Sequence, residues 1–322
     1  MLKGLLDPRV DEAERVQRYG SLATSYRLVG HDEAEIAVLP RVREATSTEE
    51  VRNRVREAER YGLRTLVFGG TDFEPINPFD SVIQLHPGPT RGAQRHGDVL
   101  ALPFFFTDRT LGTLEPFDSE EVPSVAFCGQ GHASALQAAK SLALRVLTKS
   151  RNLTDPKVVA PPIRGHVRLR HSALTNLAAT EGVRANFVIR DQYRAGASSQ
   201  EERERTQSEF DSNLCSSTYA LCIRGTGNFS ARFSEALHFG RIPLFIDTRC
   251  VLPHENLVDW QKVCVWLDEK EVLEIGPRLI TAHQSRQIED THSAETMRGI
   301  WEQYLSSDGY FRHLVPTVRS LI

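Results

Sequence analysis

The sequence predicts a parallel α/β protein made of two domains. Short apolar runs of strand character alternate with amphipathic helical runs, an order that is typical of parallel sheets. The chain has 322 residues, a length that suits two domains. A glycine turn at residues 224–230 joins a predicted strand to a predicted helix and completes one βαβ unit within about 30 residues.

The first domain is expected at residues 1–120. A capping-box pattern places a helix start at Thr46 and Ser47, and Gly62 ends that helix. The predicted strands around it are residues 35–40, 64–68, 81–86 and 98–105.

The second domain is expected at residues 121–300, followed by a C-terminal helical segment at 301–322. Its predicted strands are residues 124–127, 186–190, 218–223 and 242–246. Its predicted helices are residues 133–149 and 230–239, and residues 200–205 are interpreted as a solvated loop or helix face.

Charge and hydropathy exclude several classes of function. The net charge is −3, so no strong positive field is present to hold nucleic acid. The longest apolar run, residues 99–106, is far shorter than the roughly 20 residues needed to span a bilayer. No secretory signal begins the sequence, and five cysteines without a C-x-x-C motif argue against disulfides or zinc. We therefore expect a cytoplasmic protein without stable membrane insertion.

The βαβ unit carries the clearest candidate site. Ser230, Arg232 and Glu235 fall near the start of the predicted helix, at the carboxyl edge of the strands, where open α/β sheets bind ligands. The N–H groups of a helix N-terminus suit a phosphate. Arg232 opposes the helix dipole there, which makes sense beside an anion. Glu235 is placed to accept hydrogen bonds from sugar hydroxyls. The alternative is a surface ion pair between Arg232 and Glu235.

The same turn resembles a dinucleotide-binding motif. Gly225, Gly227 and Ser230 follow the G-x-G-x-x-G spacing, and Asp247 comes twenty residues after Gly227. The third position is serine, however, and the motif falls late in the chain. An NAD(P)-dependent oxidoreductase is therefore the alternative enzyme class.

A longer stretch resembles the exostosin family, glycosyltransferase family 47. The similarity lies in Ser216 to Gly225, in the S-x-R-x-x-E-A-L-x-x-G-x-I-P pattern from Ser230 to Pro243, in Leu252-Pro253 and in Asp259-Trp260. Ile223-Arg224 departs from the proline plus basic residue that is usual in the family. The short N-terminal half lacks the stem and anchor of animal and plant members, so the chain resembles a compact bacterial-type member.

The resemblance implies GT-B architecture, in which two Rossmann-like domains face each other across a cleft, and sugar transfer from a nucleotide sugar with inversion. The last helix would cross back to the first domain. A UDP- or GDP-type donor and a glycan or small-molecule acceptor are expected. Ser230 and Arg232 would face the diphosphate and Glu235 the ribose or donor sugar; further donor-site candidates are Arg190, Arg224, Gly225 and Gly227. No Asp-x-Asp occurs, so we expect neither a required metal nor another cofactor. A binding protein without catalysis is the non-enzyme alternative.

An inverting transfer needs a base that takes the proton of the acceptor hydroxyl. Asp72, which follows a predicted strand and two glycines, is the first candidate, and His86 at a strand end is the second. The alternatives are a turn-capping role for Asp72 and a structural role for His86. Arg91 is a candidate for binding an acceptor anion, with a solvated turn as its alternative. Further candidates for the base are Glu74, Asp80 and His96.

Overall fold

The computed structural model contains two separate parallel β-sheets flanked by helices. It describes residues 27, 29–39, 48–70, 72, 74, 76, 79–93, 96–110, 114, 116, 122–131, 165–191, 196–285 and 293–322. The predicted α/β fold with two Rossmann-like sheets is confirmed. The predicted helix at 133–149 lies outside the described residues.

The first sheet has four parallel strands in the order of the chain, β1-β2-β3-β4. These strands are β1 (Ala37–Val38), β2 (Thr65–Phe68), β3 (Val82–His86) and β4 (Asp98–Ala101). Helix α1 (Thr48–Arg60) buries Val51, Val55 and Ala58. Glu49 and Glu50 in its first turn stabilise the helix by interacting with the positive end of its dipole.

The second sheet has five parallel strands in the order β6-β5-β7-β8-β9. They are β5 (Ser124–Gln130), β6 (Arg184–Arg190), β7 (Tyr219–Cys222), β8 (Ile242–Asp247) and β9 (Val265–Asp268). The chain runs from β5 to one side and then returns to β7 on the other side. The strand order therefore reverses between β5 and β7, which is the position where open α/β sheets bind ligands.

Helices cover this sheet and enclose the larger core. They are α2 (His166–Ala179), α3 (Gln200–Cys215), α4 (Ala231–His238), α5 (Trp260–Val263) and α6 (Ile275–Gln284), with a 3-10 helix at Glu269–Glu274. Residues 200–205 begin α3 behind a capping box formed by Ser199 and Glu202. Strand β9 and helices α2 and α6 lack a counterpart among the predicted elements.

The C-terminal segment returns to the first sheet. It contains α7 (Ala294–Ile300), a π-helical turn (Trp301–Leu305) and α8 (Ser307–Arg319). In α8, Tyr310, Phe311 and Leu314 pack with core residues of β2 and β3, and Tyr310 Oη donates a hydrogen bond to the Ala101 carbonyl at 2.9 Å. The last helix therefore packs against the first sheet and completes its hydrophobic core. No helix among the described residues is both long enough and apolar enough to cross a membrane.

Candidate active site

The candidate site lies at the carboxyl edge of β5 and β7, where the strand order reverses. Arg232, in the first turn of α4, reaches over both strands. Its Nη2 donates to the Cys128 carbonyl of β5 at 2.7 Å, and its Nη1 donates to the Leu221 carbonyl of β7 at 3.4 Å. The guanidinium also lies 4.4 Å from the ring centre of Phe127. These contacts fix the Arg232 side chain between the two strands.

Arg170, near the start of α2, also bridges these two strands. Its Nη1 donates to the Gln130 carbonyl at the end of β5 at 2.8 Å, and its Nη2 donates to the Arg224 carbonyl just after β7 at 3.1 Å. Two guanidinium groups therefore meet at the point where the strands diverge.

Within the described part of the chain, neither guanidinium forms a close ion pair with a carboxylate, although Glu235 lies near enough to act on the charge of Arg232. The nearby carboxylates of Glu235 and Glu209 pair with Arg109 and Arg190 instead. Among the residues that the structure describes, the buried Nε atoms of Arg170 and Arg232 meet no hydrogen-bond acceptor. Burial and the positive charges of Arg232 and Arg224 lower the pKa of Arg170 to about 10. An anion placed here would relieve this repulsion.

His166, at the start of α2, lies near the same positive charges. Burial, with the charges of Arg170 and Arg224, lowers the pKa of His166 to about 4. The imidazole is therefore neutral at pH 7 and adds hydrogen-bonding capacity rather than charge.

The other predicted donor-side residues surround this pair. Arg224 is buried, and its Nη1 donates to the Gly225 carbonyl at 3.2 Å. Arg190 ends β6, where its guanidinium pairs with Glu209 and donates to the Thr206 carbonyl at 3.0 Å. Ser230 precedes α4 as its N-cap residue, and its hydroxyl makes no capping hydrogen bond. The structure thus brings the predicted donor-side residues to one edge of the sheet.

The surface ion pair between Arg232 and Glu235 is not formed, so that alternative is wrong. Arg232 bonds to backbone carbonyls, and Glu235 Oε1 accepts from Arg109 Nη2 at 3.1 Å. The physical reason is that both side chains point into the domain: only 13% of the Glu235 side chain is exposed.

The glycine turn touches the loop that follows β2. A Cβ added to Gly227 would lie 2.7 Å from the Asp72 carbonyl oxygen, and one added to Gly88 would lie 2.5 Å from the Asn228 carbonyl oxygen. Glycine at these positions lets the loops of the two carboxyl edges meet. The tight approach at Gly227 is thereby explained without a dinucleotide, and the oxidoreductase interpretation loses support.

The candidate bases occupy different edges of the first sheet. Asp72 is exposed at the carboxyl edge, beside the glycine turn. His86 is fully buried, and its Nδ1 accepts a hydrogen bond from the Gly88 amide at 3.3 Å, as expected for a structural residue. Glu74 is buried and accepts from the Thr90 amide at 2.9 Å. Asp80 and His96 precede β3 and β4, so they lie at the opposite, amino edge, away from the site.

Arg91 joins the two carboxyl edges instead of lying in a solvated turn. Its Nη1 is 3.1 Å from Asp247 Oδ2 and its Nη2 is 2.6 Å from Glu255 Oε1, both in the second domain. Beside it, Thr90 forms an isolated antiparallel bridge with Cys250. The solvated-turn interpretation is corrected. The Arg91 guanidinium already contacts two carboxylates. Its predicted role in binding an acceptor anion stays a prediction.

Three residues of the site were missed by the sequence analysis. Arg170 and His166 are on a helix that was not predicted, and Arg109 is in the connector between the sheets. Arg170 contacts acceptors 40 and 54 residues away in the chain, so no local pattern could indicate it. Arginine makes up 33 of the 39 basic residues, which hints at phosphate binding. This composition does not show which arginines belong to the site.

Comparison with known proteins finds a similarity for the region that carries most of the residues of this site. Residues 164–282 match the family model described as the Exostosin GT47 domain. Exostosin-1 of Drosophila melanogaster is 31% identical over 108 residues, which are 34% of this chain and 14% of that protein. The Exostosin-1 homolog of Caenorhabditis elegans is 31% identical over 99 residues, or 31% of this chain and 25% of that protein.

A probable glucuronosyltransferase of Oryza sativa subsp. japonica is 36% identical over 72 residues, which are 22% of this chain and 16% of that protein. The chain thus spans a quarter or less of the length of these curated relatives. The matched region begins just before α2 and ends within α6. It therefore includes Arg170, Arg190, Arg224, Arg232 and Glu235, and the second domain is similar to the Exostosin GT47 domain.

Proposed function

We propose that this protein is an inverting glycosyltransferase that moves a sugar from a nucleotide-diphosphate sugar to a hydroxyl group of a glycan or small molecule. The observation that carries the proposal is the pair Arg170 and Arg232. Both bridge β5 and β7 at the reversal of strand order, and neighbouring carboxylates pair elsewhere. Guanidinium groups bind diphosphate oxygens through charge-assisted hydrogen bonds. The similarity to the Exostosin GT47 domain supports the same conclusion.

The chemistry is a single in-line displacement. The acceptor oxygen attacks the anomeric carbon, the bond from that carbon to the diphosphate oxygen breaks, and its electron pair leaves with the diphosphate. Arg170 and Arg232 stabilise the negative charge that develops there. Their fixed positive charge supports a reaction without a required metal. Asp72 takes the acceptor proton, and its exposed place beside the glycine turn supports that role.

The test is a calorimetric titration of the protein with UDP, GDP, CDP, dTDP and NAD, each with and without EDTA. We expect one nucleoside diphosphate of the UDP or GDP type to bind, with an affinity that EDTA leaves unchanged. Binding of NAD alone would overturn the proposal, and loss of binding with EDTA would contradict its metal independence.

The donor sugar is tested next. The name of the rice relative makes UDP-glucuronic acid the first sugar nucleotide to assay. The product should carry the opposite anomeric configuration to the donor, which NMR of the product measures. Retention of configuration would reject the single-displacement mechanism.

A further inference from the structure

The connector at residues 106–110 is anchored against the second domain. The backbone amide of Arg109 donates to His238 Nε2 at 3.1 Å, and Asp108 pairs with Arg298. The amide and hydroxyl of Thr110 donate to Asp108 Oδ1 at 3.0 and 2.9 Å. The position of Arg109 is therefore set by its own backbone as well as by its side chain.

The Arg109 guanidinium faces two carboxylates. Its Nη2 is 3.1 Å from Glu235 Oε1 and 3.5 Å from Asp211 Oδ1. It also lies 5.0 Å from the ring centre of Phe106 and 5.4 Å from that of Phe239. Only 20% of the Arg109 side chain is exposed, so solvent screens these interactions incompletely.

Glu235 is the carboxylate that could cancel the charge of Arg232. The two residues are three positions apart on α4, a spacing at which opposite charges pair on a helix. Yet Arg232 donates to the Cys128 and Leu221 carbonyls, and Glu235 pairs with Arg109. The groups that face Glu235 are Arg109 from the connector, Asp211 from α3 and Arg232 from its own helix.

We infer that Arg109 is a positioning residue of the anion site. It holds and neutralises Glu235, so that the positive charge of Arg232 remains available to the phosphate groups of the ligand. Without Arg109, Glu235 would lie near Arg232 with no cation of its own, and Asp211 would remain beside Glu235. The inference rests on the proposed function for the identity of the anion, but its test needs only an inorganic probe.

The probe is inorganic pyrophosphate, titrated by calorimetry into the wild type and four variants. Arg109→Met should weaken pyrophosphate binding about tenfold, because an uncompensated carboxylate then opposes the anion. The double variant Arg109→Met with Glu235→Gln should return to within about threefold of the wild type, because both charges of the pair are gone. Arg109→Lys keeps the charge and should also stay within about threefold.

Arg64→Met is the matched control, since the Arg64 side chain is 22% exposed against 20% for Arg109, and it pairs with Asp98 in the first sheet. It should leave pyrophosphate affinity unchanged. Equal affinity in the wild type and Arg109→Met would overturn the inference, as would a double variant as weak as the single variant. If Arg109→Met does not fold, Arg109→Lys decides: a tenfold loss there would show that packing rather than charge matters.

The two proposals fail in different ways. A wild type that binds pyrophosphate but no nucleoside diphosphate contradicts the proposed function, while the comparison of variants still decides the role of Arg109. A wild type that binds a nucleoside diphosphate, with Arg109→Met binding pyrophosphate equally well, contradicts only the role of Arg109. A wild type that binds neither overturns both.

Discussion

The two sheets present their carboxyl edges to each other, and the polar side chains beside the strand ends differ between them. The edge of the first sheet carries two carboxylates, Asp72 and Glu74, together with a buried histidine. The edge of the second sheet carries guanidinium groups, of which Arg170 and Arg232 bridge the diverging strands. Both edges are formed by parallel strands, so the backbone alone does not distinguish them. The side chains carry our proposal that one edge takes a proton and the other holds an anion.

The edges also differ in how far their polar groups are satisfied. In the first sheet, Glu74 accepts from the Thr90 amide and His86 accepts from the Gly88 amide. In the second sheet, Arg170 and Arg232 donate to backbone carbonyls, which carry no full negative charge. The strand order adds a second difference, because it is sequential in the first sheet and reverses in the second. The second sheet therefore combines a reversal of strand order with two arginines that form no close ion pair among the described residues, and we propose that this combination makes it the binding site.

The largest expected effect tests the acidic edge. Asp72→Asn should reduce kcat about 100- to 10,000-fold, the range typical for loss of a general base, while affinity for the donor nucleotide stays unchanged. Steady-state kinetics and calorimetry measure the two quantities separately. Asp80→Asn is the control, because Asp80 is exposed at the amino edge of the same sheet. Equal activity of both variants would show that Asp72 is not the catalytic base.

The second effect tests the basic edge. Arg232→Met should weaken nucleoside diphosphate binding by about 1.5 to 3 kcal/mol, the contribution of a charge-assisted hydrogen bond. Calorimetric titration measures this loss, and Arg64→Met in the first sheet serves as control. Unchanged affinity for the nucleotide would reject a phosphate-binding role for Arg232.

The third effect tests the contact between the edges. Gly227→Ala should lower the free energy of unfolding by about 1 to 3 kcal/mol, because the new Cβ would fall 2.7 Å from the Asp72 carbonyl oxygen. Gly225→Ala is its control, since a Cβ there has open space around it within 4 Å. Denaturant unfolding of both variants gives the comparison. Equal stability would show that the Asp72 loop is not held against the turn.

The smallest effect tests how the last helix completes the first sheet. Tyr310→Phe removes the hydrogen bond from Tyr310 Oη to the Ala101 carbonyl while keeping the ring in the core. The free energy of unfolding should fall by about 0.5 to 1.5 kcal/mol. Affinity for the donor nucleotide should not change, because the contact belongs to the other sheet. A change in nucleotide affinity without a loss of stability would contradict this separation.

Local patterns predicted much of the fold. The strand before the glycine turn, the helix after it and the next strand were each recognisable, since hydrophobic periodicity and glycine placement act over a few residues. Helix α2 was missed, although it supplies Arg170. The partners of Arg232, Cys128 and Leu221, could not be predicted, because adjacency of β5 and β7 is a property of the whole sheet.

Local sequence was enough to predict the parallel α/β class, the resemblance of residues 216–260 to the exostosin family, and the position of Ser230, Arg232 and Glu235 near a helix start. These features depend on neighbouring residues and on strand direction. The packing of distant segments, in contrast, places Arg170 with Arg232 beside β5 and β7, pairs Arg109 with Glu235 and links the two edges through Arg91. The contacts of Arg109 and Arg91 join residues 126 to 164 positions apart, and those of Arg170 join residues 40 and 54 positions apart, so they form only when separate strands are brought side by side.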